Sequence, residues 1–90
     1  MGAQDFFVEA EGATAQEAFR NAVDEARHEY GHGGYTGTIA EKGSFVIVQL
    51  DPELVEDYDR WPDKVQDKWG PAGAIKLAEN KWLFFGCASS

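Results

Sequence analysis

The chain is poor in several residue types, and each shortage excludes something. Its 90 residues include one cysteine, three prolines, two histidines and eight basic residues against 16 acidic ones. A lone Cys87 cannot form an intramolecular disulfide and suits a reducing cytosol. Its apolar neighbours Phe84, Phe85 and Ala88 point to a buried, inert thiol rather than a nucleophile. No run of about 18 apolar residues occurs, so no membrane-spanning helix is expected. Residues Met1 to Asp5 carry neither a basic region nor a long apolar stretch, so no signal peptide is expected. The scarcity of cations leaves a net charge of −8, which disfavours direct binding to a nucleic-acid backbone or an anionic membrane.

What is present suffices for one packed domain over residues 1–90. Apolar residues make up 43% and aromatics 13%, enough for a modest core and too much for a disordered chain. Phe6 to Glu11 alternates as a strand with Phe6, Val8 and Ala10 on one face. Thr14 and Glu17 form a capping box, so a helix is expected from Ala15. Ala15, Ala18, Phe19, Ala22, Val23, Ala26 and Tyr30 give that helix an apolar stripe, and Gly31 is its natural stop.

A hairpin is expected next, with arms Thr38–Glu41 and Phe45–Leu50 turned at Lys42-Gly43-Ser44. The second arm is nearly continuously apolar, which predicts a central, well-covered strand. Asp51 followed by Pro52 is an N-cap with proline at N1, which predicts a second helix with Leu54, Val55, Tyr58 and Trp61 as its buried stripe. Pro62 interrupts it, and Asp63 caps a short further turn that Gly70-Pro71 ends. A last hairpin, Ala74–Glu79 with Trp82–Ala88, turns around Asn80. The order β-α-β-β-α-β-β predicts an α+β fold, a mainly antiparallel sheet of four to five strands with two helices on one face.

Three groups of residues carry the candidate chemistry. His28-Glu29-Tyr30-Gly31-His32 matches the H-E-x-x-H pattern of zinc hydrolases, in which two histidines on one helix face hold the metal. At 100° per residue, however, His28 and His32 lie roughly 120–160° from the centre of the apolar stripe, facing solvent. Gly31 also breaks the helix inside the motif. The match is therefore read as an accident of composition, with no metal or other cofactor expected. Zinc on His28 and His32, and an enzymatic role, enter only under that alternative. A protonated His32 near the helix end has a simpler role beside the open carbonyls.

The second group is the connector, with four glycines among residues 31–37. Gly33 and Gly34 let the backbone approach a ligand closely, Tyr30 and Tyr35 offer stacking faces, and His32, Thr36 and Thr38 offer polar groups. Such a loop suits a small planar, nucleotide-like ligand, whose phosphate would need donors such as Arg20, Arg27 or Lys42. A tight return from helix to strand is the alternative. The third group is an acidic stretch. Residues 51–68 hold seven acids against Arg60, Lys64 and Lys68, followed by Trp69 in a glycine- and proline-bearing loop. Glu56, Asp57 and Trp69 would suit a basic protein partner; a solvated helix face with a tryptophan lid is the alternative.

The run from Tyr30 to Lys42, together with Asp67–Ala74 and Lys81–Gly86, resembles small uncharacterised proteins of tailed bacteriophages. The resemblance spans nearly the whole chain and is carried by the glycine-rich run rather than by His28. It implies a phage accessory protein in the host bacterial cytoplasm, acting against host defence. Such a protein would sequester a signal molecule or block a host protein. The leading expectation is a non-enzymatic binder of a nucleotide-like ligand, in a homo-oligomer that shares the site between subunits. An acidic inhibitor of a host protein and a small zinc-dependent hydrolase are the alternatives.

Overall fold

A computed structural model describes residues 3–30, 39, 42–67 and 69–89. Strand β1 (Ala3–Glu11) leads into helix α1 (Ala15–Tyr30), followed by β2 (Phe45–Ile47). Two 3₁₀ turns (Pro52–Leu54 and Tyr58–Arg60) precede the short helix α2 (Asp63–Gln66). The chain then forms β3 (Ala72–Ala78) and β4 (Lys81–Ser89). The sheet has four strands in the order β1-β4-β3-β2. β4 runs antiparallel to both β1 and β3, whereas β2 pairs in parallel with β3. The α+β class, the mainly antiparallel sheet and the two helices are as expected.

Local signals explain the first half. The Thr14 hydroxyl accepts a hydrogen bond from the Glu17 N–H at 3.1 Å, so the capping box starts α1 at Ala15 as its spacing predicts. Ala18, Phe19, Ala22, Val23 and Ala26 are buried along one stripe of the helix. They pack on Phe6, Ala72, Ala74, Phe84 and Ala88, with Val8, Ala10 and Phe45 completing that core.

The coverage of the sheet departs from the expected single layer pair. Successive residues of a strand point to opposite faces, so Leu83 and Phe85 face away from Phe84 and α1. They form a second core with Ile75, Val55, Trp61 and Val65. Residues 52–66 therefore cover the face opposite α1, and β4 is buried on both sides, whereas Phe7 of β1 stays 45% exposed. This is why β4 reads as an almost unbroken apolar run, with every residue from Leu83 to Ala88 buried.

The expected first hairpin also needs correction. The strand continuing from Lys42-Gly43-Ser44 is only Phe45–Ile47, and its partner is β3, in parallel. Two further bonds prolong that pairing: Ala72 N–H to Ser44 C=O at 3.0 Å and Val48 N–H to Ala74 C=O at 2.9 Å. Among the described residues β2 is an edge strand, with Ile47 56% exposed, not a central one. Its apolar run has a different cause: Phe45 packs into the α1 core, whereas Val46, Val48 and Leu50 pack against the other. Of the predicted upstream arm, Thr38, Ala40 and Glu41 lie outside the described residues. Ile39 is fully buried, and its carbonyl accepts the Lys42 N–H at 2.9 Å.

The predicted second helix is broken into 3₁₀ turns. Asp51 caps the first with a bond from the Glu53 N–H, but Asp57 starts a second turn by accepting from the Asp59 N–H. These local bonds compete with helix continuation. Of the predicted stripe, Val55 and Trp61 are buried, while Leu54 and Tyr58 stay 40% and 41% exposed. The β3–β4 hairpin forms as expected around Glu79-Asn80, with a bulge between Lys76 and Ala78. At Gly73 an added Cβ would sit 2.5 Å from the Phe85 ring, so glycine there lets that ring lie across the neighbouring strand.

Candidate binding site

Helix α1 presents two flanks beside its buried stripe. On one, Arg20, Asp24 and Arg27 share a side because they stand four and three residues apart. Both arginines, together with Asp24 between them, line a hollow of about 210 Å³ that Phe19, Val23, Lys42 and Gly43 complete. Arg20, Arg27 and Lys42, the cations that a phosphate-bearing ligand would call on, thus line one depression. Among the described residues the ion pairs are Arg60–Asp57 at 3.1 Å and Lys81–Glu9 at 3.2 Å, so neither Arg20 nor Arg27 forms a direct ion pair with a described carboxylate, Asp24 included.

Lys42 has another task. Only 4% exposed, it donates through Nζ to the Gly70 carbonyl at 2.8 Å and to the Asp67 carbonyl at 3.5 Å. Its charge satisfies backbone oxygens just beyond α2, so it fixes the wall of the hollow while the two arginines supply its exposed donors. Sequence reasoning named Lys42 as an anion donor, and nothing in its spacing signalled this burial.

The other predicted ligand-binding residues follow α1. Tyr30 is its last residue. The Tyr30 side chain and residues His32, Gly33, Gly34, Tyr35, Thr36 and Thr38 lie outside the described residues. His28 is exposed on α1, as the helical wheel predicts. His32, the second histidine of the alternative zinc reading, lies outside the described residues. Among those described, no three His, Cys, Asp or Glu side chains gather as a metal site.

The predicted partner-binding residues lie on the covering segment. Glu56 and Asp57 are exposed, and the Asp57 carboxylate already accepts from Arg60 Nε at 3.1 Å. Trp69 is 64% exposed, in a turn where its backbone N–H donates to Asp67 Oδ1 at 2.9 Å. Of the other tryptophans, Trp61 is buried and Trp82 half-buried.

Tyr58, expected in the buried stripe, instead joins this surface. Its hydroxyl donates to the Gln66 carbonyl at 3.1 Å, and Gln66 Nε2 donates back to the carbonyls of Tyr58 and Trp61. Partial burial raises the phenol's pKa above its usual 10.0, and the nearby Cys87, Asp5, Asp59 and Asp67 raise it further. Tyr58 therefore remains a neutral donor at physiological pH.

Among the described residues no helix is long and apolar enough to cross a membrane. Comparison with protein-family models, curated proteins and solved structures returned no match.

Proposed function

We propose that this protein is a non-enzymatic binding protein that sequesters a small anionic, nucleotide-like ligand. The observation that carries this reading is the hollow that Arg20 and Arg27 line on α1, with Lys42 and Gly43 opposite. In a chain of net charge −8, a hollow whose described lining sets Arg20, Arg27 and Lys42 against Asp24 alone is a local exception to the overall field. Seven residues of helix separate the Cα atoms of the two arginines by about 10 Å, a span that two long side chains can close on a phosphate or extended phosphate group. Tyr30, His32, Gly33, Gly34, Tyr35, Thr36 and Thr38 would supply the stacking face and polar contacts to the base. The phage resemblance suits a role in removing a signal molecule in the host cytoplasm.

A thermal-shift panel of nucleotides and cyclic nucleotides tests this reading. A ligand at about one hundred times its Kd stabilises by roughly 2.7 kcal/mol, which in a domain of this size raises Tm by on the order of 10 °C. Arg20→Ala combined with Arg27→Ala is expected to remove most of that shift while leaving the unliganded Tm nearly unchanged. No stabilisation by any panel member would end the proposal.

The second reading is an acidic inhibitor of a basic host protein. Leu54, Tyr58 and Trp69 are the large exposed apolar side chains on or just beyond the segment that carries Glu56 and Asp57. A pull-down from bacterial lysate is expected to retain a partner that Trp69→Ala or the Glu56→Lys, Asp57→Lys pair releases. Equal retention by wild type and both variants would remove this reading.

A further inference from the structure

The second flank of α1 faces the outer edge of β1, where we infer a site for β-strand addition by a basic, extended segment of a partner protein. β1 is the terminal strand of the sheet, so among the described residues nothing pairs with the edge turned away from β4. Two hollows of about 280 and 480 Å³ run along it and meet at Glu25. The first spans Gln4 to Val8 and the second spans Glu9 to Glu11. Consecutive residues of both strand faces line them, so the hollows open along the strand's edge rather than above one face. α1 roofs the cleft with Ala22 and Ala26, whose small side chains leave room beside Phe6 and Val8, and Ile39 completes the apolar lining. An edge strand next to a helix, with an apolar floor between them, is the geometry that receives an added strand.

Charge selects the occupant. Among the described residues, Asp5, Glu9 and Glu11 on β1 and Glu25 and Glu29 on α1 line the cleft, against one cation, Lys81, which pairs with Glu9. A second copy offering its own β1 would set acids against acids, and like charges across strands are destabilising. A segment alternating apolar and basic residues matches both sides. Its apolar side chains would enter the space bounded by Phe6, Val8, Ala22 and Ala26. Its lysines or arginines would lie alongside Asp5 and Glu9, on the face that also carries Phe7. This site is separate from the arginine hollow, which opens on the other flank of α1.

The test uses the full chain and a fluorescently labelled short peptide alternating valine and lysine, read by anisotropy at physiological salt. Controls are the same peptide N-methylated on every second amide and a valine–glutamate counterpart. The valine–lysine peptide is expected to bind, the valine–glutamate one to fail, and N-methylation to weaken binding about tenfold or more by removing main-chain hydrogen bonds. Glu9→Lys with Glu25→Lys is expected to weaken it to a similar degree, about tenfold. The N-methyl comparison uses wild-type protein, so it stands even if that variant misfolds. Absence of valine–lysine binding would overturn the proposal. So would equal binding of the N-methylated peptide, which would reduce the effect to bulk charge. Self-association that excludes the peptide as protein concentration rises would instead assign the edge to a second copy.

Discussion

Phe84→Ala is expected to cost about 3–5 kcal/mol, the range for removing a buried aromatic ring from a well-packed site. Phe84 is fully buried at the centre of the α1 face. Its ring centroid lies 5.5 Å from that of Phe19 on the helix and 5.8 Å from that of Phe45 on the edge strand, both edge-on. One side chain thus joins α1, β2 and β4, and little around it can collapse into the space left behind. Small domains have a total stability of about 5–15 kcal/mol, so the variant would retain a small margin or none. Urea unfolding followed by circular dichroism measures the loss. A change below about 1 kcal/mol would mean that α1 does not seat on this ring as described.

Trp61→Ala is expected to cost a similar amount, about 3–5 kcal/mol, but with a different distribution. Trp61 is only 3% exposed on the opposite face, with ring centroids of Phe85, Tyr58 and Phe7 at 5.1, 5.0 and 6.0 Å. Its indole N–H donates to the Val55 carbonyl at 2.7 Å, so the same residue fills the second core and holds the irregular chain around it. Residues 52–66 have only two 3₁₀ turns and one helical turn of their own, and depend on such contacts for their shape. Amide exchange should accelerate across that segment more than across α1. Trp61→Phe separates the two roles, because it keeps most of the ring and leaves the Val55 carbonyl without its donor. That loss should cost about 1–3 kcal/mol. Equal loss of protection in α1 and in 52–66 on Trp61→Ala would show one cooperative unit rather than two separable faces.

The candidate site was legible only where it depends on one element. Arg20, Asp24 and Arg27 fall on one flank of α1 from their spacing alone, as does the opposing flank of Asn21, Glu25 and Glu29. That Lys42 comes up against the arginine flank while its ammonium turns to the carbonyls of Asp67 and Gly70 is a contact across some 25 residues of chain. No periodicity encodes it. The cleft beside β1 was missed for a related reason, since alternation identifies a strand but not its place in the sheet. Tyr58 was misplaced because its assignment assumed a continuous helix, which the Asp57 turn interrupts.

The sequence by itself determined the elements whose signals are local: the alternation of β1, the Thr14 cap and apolar stripe of α1, and the β3–β4 hairpin around Glu79-Asn80. It also determined the overall charge and, through one cysteine, the absence of an intramolecular disulfide. Only the tertiary structure decided the parallel partner of β2, the order that leaves β1 at an edge, and the face each helix covers. The run Leu83-Phe84-Phe85 states that both faces of β4 must be buried, yet it is indifferent to which segment buries which. That choice belongs to Phe19 and Phe45 meeting Phe84, and to Trp61 meeting Phe85. These contacts stabilise only when distant parts of the chain meet, so no window of sequence contains them. The H-E-x-x-H match shows the same division: its pattern is local, whereas a metal site requires convergence of groups from more than one element.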